Sequence, residues 1–362
     1  MTAIIGMIII SGIFGTMAWI SSARDSFKKK SDKTYISIVL VLGLVIRLIA
    51  AVCYRGHETD MNCFTGWADI AFKNGLSQFY LSDGFHDYPP GYLYILYILG
   101  AVKNIFTLNG PVLWLVLKLP AIVADLGIGY LAYKLASKNF SKLVGTAIAA
   151  FAVLNPTVIL DSAVWGQVDS ILGFFCVLAV YLASERKLNW SFFAFAAALL
   201  IKPQALFFAP VLVFGIIDEY FLENKFDKKE FIKTVLCAIG ALVFMLVSFM
   251  PFGNTPIHGI RVIIDQYITT IGQYNYMTVN AFNLYGALGL NWAELTPFVS
   301  VLGYVFIVAV VVFSGVVFFK GKGSDRYYLT SFILFFGIYM LSAKMHERYA
   351  FPGIFMLIIS PF

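Results

Sequence analysis

Side chains able to do chemistry collect in three stretches of this 362-residue sequence. The first, 54–91, holds five of the chain's twenty acidic residues and two of its four histidines, between two strongly apolar segments. His57, Glu58 and Asp60 stand close together in it, and His86, Asp87 and Tyr88 lie near its end. A carboxylate held within hydrogen-bond reach of a hydroxyl can act as a general base, and Asp60 is the candidate. Glu58 is two residues earlier, so on an extended segment both carboxylates face one way. The competing role for Asp60 is an N-cap on the helix that follows, and a carboxylate busy capping is a poorer base. The second stretch joins Trp165-Gly-Gln167-Val-Asp169 to the break at Lys202-Pro203-Gln204. Asp169 at a helix start suits the positive helix end, as a cap or as a ligand, and Lys202 is either a cation for an anionic ligand or a snorkelling lysine. The third, 344–349, puts Lys344, His346, Glu347 and Arg348 in one short run. Arginine and lysine are natural phosphate ligands. The alternative is an interfacial anchor, with Tyr349 in an aromatic belt.

The elements that must position these groups are membrane helices. The chain is 60% hydrophobic and 13% charged, and apolar runs near the ~20 residues a spanning helix needs recur along it. The fold class is therefore an all-α polytopic membrane protein with one membrane domain over 1–362. Transmembrane β-strands would alternate polar and apolar residues in ~10-residue segments, which this chain does not do. The net charge of +6 comes mostly from short connectors and does not suggest nucleic acid. Spans are expected at about 3–20, 35–53, 112–133, 143–161, 169–184, 188–201, 205–218, 232–250, 298–319, 327–343 and 350–362. The run 3–20 is kept as a span because positive charge follows it instead of preceding it, unlike a signal peptide. The last segment is too short to span unaided, so the chain is expected to lack its final helices.

Charge sets the orientation. If 90–107 does not cross, the connectors 21–34, 134–142, 185–187, 219–233 and 320–326 share one side and hold 17 Lys/Arg, against seven on the other. If it crosses, the count becomes 10 inside and 14 outside, against the positive-inside rule. The segment is therefore read as a re-entrant or interfacial helix, with external loops at 54–111 and 251–297. All three chemical stretches then fall on the external face. Arg47, Lys118 and Asp125 lie within spans, where they need partners. Lys118 and Asp125, seven apart, share a helix face. Cys53 and Cys63 lie near one face and could pair. No CxxC, HExxH, GxSxG or P-loop pattern occurs. His57 and Glu58 with His86 could bind a divalent metal, but no cofactor is required.

Taken together, the outer-loop Asp60, YPPG at 88–91, the NP pair leading to WGQVDS, KPQA, TVNAFNL and HERYAFP resemble the GT-C glycosyltransferases, over about 35–352. The similarity is strongest to bacterial mannosyltransferases related to the enzyme that adds the second mannose of GPI anchors. It implies a GT-C-like helical bundle, in a multi-pass protein of the cytoplasmic membrane with its active site outside. It implies an inverting transfer of a sugar, mannose first among them, from a polyprenyl-phosphate donor to a hydroxyl of a glycan, lipid or protein. Asp60 would be the base, with Glu58 the second catalytic candidate from its spacing; Arg348, His346, Lys344 and Lys202 would hold the donor phosphate. His57, His86, Asp87, Tyr88, Trp165, Gln167, Asp169, Gln204, Asn280, Asn283 and Glu347 would contact substrate or order the loops. The polyprenyl chain would lie among membrane lipid in a groove between spans. A lipid-linked-sugar transporter, a non-catalytic membrane subunit and a polysaccharide ligase are the alternatives. A transporter would be expected to place its ionisable groups at the midplane.

Overall fold

A lipid interior offers no water to backbone N–H and C=O groups, so an apolar chain of this kind must satisfy them within helices. The computed structural model describes residues 32–222 and 226–360. The expected span 3–20, most of the basic connector 21–34 and the last two residues of 350–362 lie outside the described residues. In chain order the helices are α1 (Asp32–Cys53), α2 (Glu58–Asn74), α3 (Pro90–Ile105), α4 (Gly110–Asn139), α5 (Lys142–Val153), α6 (Pro156–Ile159), α7 (Asp169–Ser184), α8 (Leu188–Ile201), α9 (Ala209–Ile217), α10 (Lys228–Phe249), α11 (Pro256–Gln273), α12 (Pro297–Lys320), α13 (Asp325–Leu341) and α14 (Phe351–Ile359). Two four-residue helical turns are left unnumbered. Among the described residues the strands are β1 (Thr278–Val279) and β2 (Met345–His346), paired in parallel with Val279 opposite His346.

Five of the described helical runs are long and apolar enough to cross a membrane: Thr34–Cys53, Gly110–Asn139, Pro203–Leu222, Lys228–Phe252 and Pro297–Lys320. A sixth is broken: α5 and the run Pro156–Trp165 meet at a 46° bend, where Asn155 caps the new helix through Thr157 N and Pro156 occupies its first turn. Pro156 has no N–H to donate to the turn before it, so the helix restarts there. These helices leave apolar faces uncovered. On α1, Ile38, Val41, Val45, Ile49 and Val52 are exposed at helical spacing, and α12 exposes Val301, Val305, Val308 and Val312 likewise. Patches of that extent are untenable in water and natural against lipid. The protein is an all-α, multi-pass membrane protein.

The polar stretches are more ordered than loops. Residues 58–74 form α2, and within 251–297 the 18-residue α11 is capped by Thr255, whose hydroxyl accepts from His258 N. The helix α3 is 16 residues long. The run after Lys202 begins as a 3-10 turn, Pro203–Phe208. All four cysteines are free thiols; Cys53 and Cys63 do not pair.

The described residues divide into two units, one of residues 32–75 and 94–177, the other of residues 76–93, 178–222 and 226–360. In the first, α1, α4, α5 and α6 pack through Val39, Val153 and Leu154 and through Ala51, Ile122, Ile159 and Ala163. Buried in this apolar interior, Arg47 Nε donates to Asp125 Oδ2 at 2.8 Å and Ser162 Oγ donates to the same oxygen at 2.6 Å. In the second, Met277, Tyr285 and Ala343 form a core beside the strand pair. There Arg326 pairs with the buried Asp218 and lies over the Phe318 ring at 4.7 Å.

Candidate active site

The first unit builds a carboxylate centre on Asp60. The chain leaves α1 at Cys53 and enters α2 at Glu58, with His57 as N-cap in extended conformation. Asp60 sits in the first turn, where a negative side chain suits the helix dipole. A hundred residues on, a π-helical turn, Leu160–Trp165, ends at Gly166 in the left-handed region (φ 92°), and the N–H groups of Gly166 and Gln167 both close on Asp161 O. π-turns are uncommon and recur at functional sites. This one aims Trp165 and Gln167 back at α2. Trp165 Nε1 donates to Asp60 Oδ2 at 2.7 Å, and Gln167 Nε2 donates to the same oxygen at 2.6 Å. His57 Nδ1 is 3.0 Å from it as well, and its ring lies tilted against Trp165 at 5.3 Å. The backbones dock too: His57 N donates to Trp165 O at 3.0 Å. That approach needs Gly56, where φ is +104° and a Cβ would run into the Trp165 carbonyl. The Asp60 side chain remains 22% exposed, so a carboxylate oriented by three donors still meets solvent.

Glu58 does not share this site. The segment is helical, not extended, so a residue two positions earlier is turned ~200° around the axis. Its side chain is 78% exposed and lies 3.6 Å from Arg55. The N-cap position belongs to His57, one turn before the place where Asp60 would have been tied up. Asp169 is buried at the start of α7.

The second unit builds a cationic centre around β2. Lys344 takes a positive φ of 63° and its N–H donates to Met277 O at 3.0 Å; β2 then sets His346 beside β1. The His346 ring meets Tyr274 edge-on at 4.6 Å and Tyr349 at 5.0 Å, and its buried Nε2 has no protein hydrogen-bond partner. Burial, followed by the charges of Arg348 and Lys202, pushes its pKa down to about 4. His346 is therefore a neutral ring at pH 7, and the cations of this centre are the lysines and the arginine. Lys202 is buried with Nζ over the Tyr88 ring at 5.1 Å. Arg348 Nε is 3.7 Å from Glu347 Oε1.

Beside them lies a cavity of about 280 Å³ whose body is lined by Leu206, Phe207, Tyr304 and Ile307. Its polar wall has Gln204, Lys344 and His346, and Gln204 Oε1 is also buried without a hydrogen-bond partner. Such a cavity suits an apolar chain that carries a polar end.

The remaining candidates lie in the second unit. The His86 ring packs on Phe79 at 4.6 Å, and burial lowers its pKa. The backbone carbonyls of His86 and Asp87 accept from Gln266 and Thr270 of α11, and Tyr88 O accepts from Tyr80. Asn283 is buried and spends its amide on Gly286 N and Ser342 O. Asn280, at a positive φ of 54°, takes Asn291 and Trp292 on its side-chain oxygen. Among the described residues no group of three or more His, Cys, Asp or Glu gathers as a metal site would need; His57 and His86 belong to different units.

The sequence profile described as glycosyltransferase family 87 matches residues 85–342, more than half of the chain. The chain belongs to glycosyltransferase family 87. No curated protein matches it. The family 87 match spans the WGQVD turn, Lys202, Gln204, Asn280 and Asn283; Asp60 precedes its first residue and Lys344, His346 and Arg348 follow its last. In this family 87 glycosyltransferase, residues not marked as candidates from sequence also touch the candidate residues. Gln266 and Thr270 on α11 and Tyr274 just beyond it carry no motif, and only the amphipathic pattern of 256–273 could have drawn attention to them.

Proposed function

We propose that this protein is a GT-C-type glycosyltransferase of the cytoplasmic membrane, working on its external face. It transfers a sugar, mannose on the strength of the sequence resemblance, from a polyprenyl-phosphate donor to an acceptor hydroxyl. The observation that carries the proposal is the convergence of Trp165, Gln167 and His57 on one oxygen of Asp60. Three donors fix the carboxylate plane, which is what a general base needs before it can meet a hydroxyl in one geometry. The acceptor O–H proton passes to Asp60 as the acceptor oxygen bonds to the anomeric carbon. The bond from that carbon to the phosphate oxygen breaks, and the polyprenyl phosphate leaves with the electron pair, inverting the centre.

Charge gathering on the leaving phosphate calls for fixed cations and donors. On the sequence resemblance, Lys344, Arg348, Lys202 and the neutral His346 of the second unit would hold that phosphate, and the cavity in the same unit supports an apolar chain attached to it. The charge count of the connectors supports this sidedness. The test is transfer from radiolabelled polyprenyl-phosphate-mannose by purified protein in detergent, wild type beside Asp60→Asn. Turnover lost in the variant while donor binding persists supports the reading. Equal turnover in both removes Asp60 from the mechanism.

A further inference from the structure

We infer that Lys118 is a positioning residue for Asp60, one ammonium capping two helix ends and so setting the donors that orient the carboxylate. The inference rests on the reading of Asp60 as the base. Lys118 is fully buried on α4, two turns before Asp125 and on the same face. Its Nζ donates to Tyr54 O at 2.6 Å, Ala163 O at 2.9 Å and Val164 O at 3.3 Å. Tyr54 directly follows the last residue of α1, its N–H still donating to Ala50 O, and Ala163 and Val164 are in the last turn of the π-helix. Helix ends leave their final carbonyls unpaired, and a buried unpaired carbonyl is costly. Three ammonium protons meet three such carbonyls, with the positive charge at the negative end of both dipoles.

Those two ends deliver every donor described at Asp60 Oδ2. His57 is three residues beyond Tyr54. Trp165 directly follows Val164, and Gln167 comes two residues later. Gly166 closes the contact: a Cβ there would stand 3.1 Å from Lys118 Cε and 2.7 Å from Met61 Sδ. Asp125 secures the same π-turn one step earlier, through Ser162. Lys118 thus acts on the reacting carboxylate through backbone and through other side chains, without being a catalytic residue itself.

The experiment is Lys118→Met in the full-length protein in detergent, with two readouts. One is kcat and KM for the donor. The other is the indole ¹H–¹⁵N resonance of Trp165, assigned by its disappearance in Trp165→Phe. The expected result is a shifted Trp165 resonance and a kcat reduced on the order of 10²-fold, the scale of an ångström of misplacement, with KM within about twofold. An unmoved resonance, or an unchanged kcat in an active protein, overturns the inference. Lys118→Gln, which keeps a donor, replaces the methionine variant if that one does not fold; unfolding of both makes Lys118 a stability element and also overturns it. If the wild type transfers no sugar while the resonance still shifts, the positioning stands and the reading of Asp60 as base falls.

Discussion

Two carboxylates of the first unit, Asp60 and Asp125, each gather their donors on Oδ2 and end in opposite situations. Asp125 is buried between spans and takes Arg47 and Ser162. Asp60 stands at a helix start, partly exposed, and takes an indole, an amide and an imidazole. In an apolar interior a carboxylate persists only with a counter-charge and further hydrogen bonds, so Asp125 is occupied in holding α1, α4 and the π-turn together. The indole and amide at Asp60 carry no charge and fix orientation without an ion pair. The difference between them is the difference between a carboxylate sealed into the packing and one held in place yet still open to solvent.

That contrast is broken most directly by amide substitution at each. Asp60→Asn is expected to lower transfer on the order of 10²–10⁴-fold with the thermal midpoint in detergent little changed. Asp125→Asn leaves Arg47 buried without its charge partner, which costs about 3–5 kcal/mol and shows as a lowered unfolding midpoint. A stable Asp125→Asn protein that had lost only its activity would erase the distinction. Removing one of the three donors, as in Trp165→Phe, should cost roughly ten- to a hundredfold in kcat, the worth of a hydrogen bond to a charged group. Circular dichroism and donor KM should stay near wild type.

His346 sharpens the comparison from the second unit, because its ring is neutral beside the cations Arg348 and Lys202. Its folded pKa of about 4 lies below the ordinary ~6.5. The unfolded chain therefore binds the proton first as pH falls. The stability contributed by the neutral ring is present above pH ~6.5 and is lost as pH falls toward 4. The unfolding midpoint of the wild type should drop across that window, and His346→Gln should flatten the drop. A slope unaltered by the substitution would assign the acid sensitivity elsewhere. The smallest effect belongs to Glu58→Gln. Exposed and remote from the Asp60 donors, it should change activity and stability by no more than about 0.5 kcal/mol, and a large loss would return it to the site.

Much of this was legible before any coordinates. Hydropathy marks α1, α4, α10 and α12, because lipid admits only backbone that is satisfied within its own helix. The Lys202-Pro203 break is written in local sequence because proline lacks a donor, whereas the bend at Asn155-Pro156 falls inside what reads as one span, 143–161. The seven-residue spacing of Lys118 and Asp125 marks a shared face, though not what that face grips. The facing of Glu58 with Asp60 presumed an extended segment before the expected helix, whereas α2, packed through Met61, Phe64 and Trp67, begins already at Glu58.

The sequence by itself determined the class of fold, the polar stretches and the residue types available at each, since these depend on side-chain chemistry and short-range spacing. Tertiary structure alone decided which of them meet. Trp165 reaches Asp60 across 105 residues, and no local pattern encodes that approach. His346 loses its charge through burial among aromatic rings and beside two cations, an environment assembled from β2, α11 and the turn at Lys202. Proton affinity and hydrogen-bond partnership depend on what surrounds a group in space, and only the folded chain supplies those surroundings.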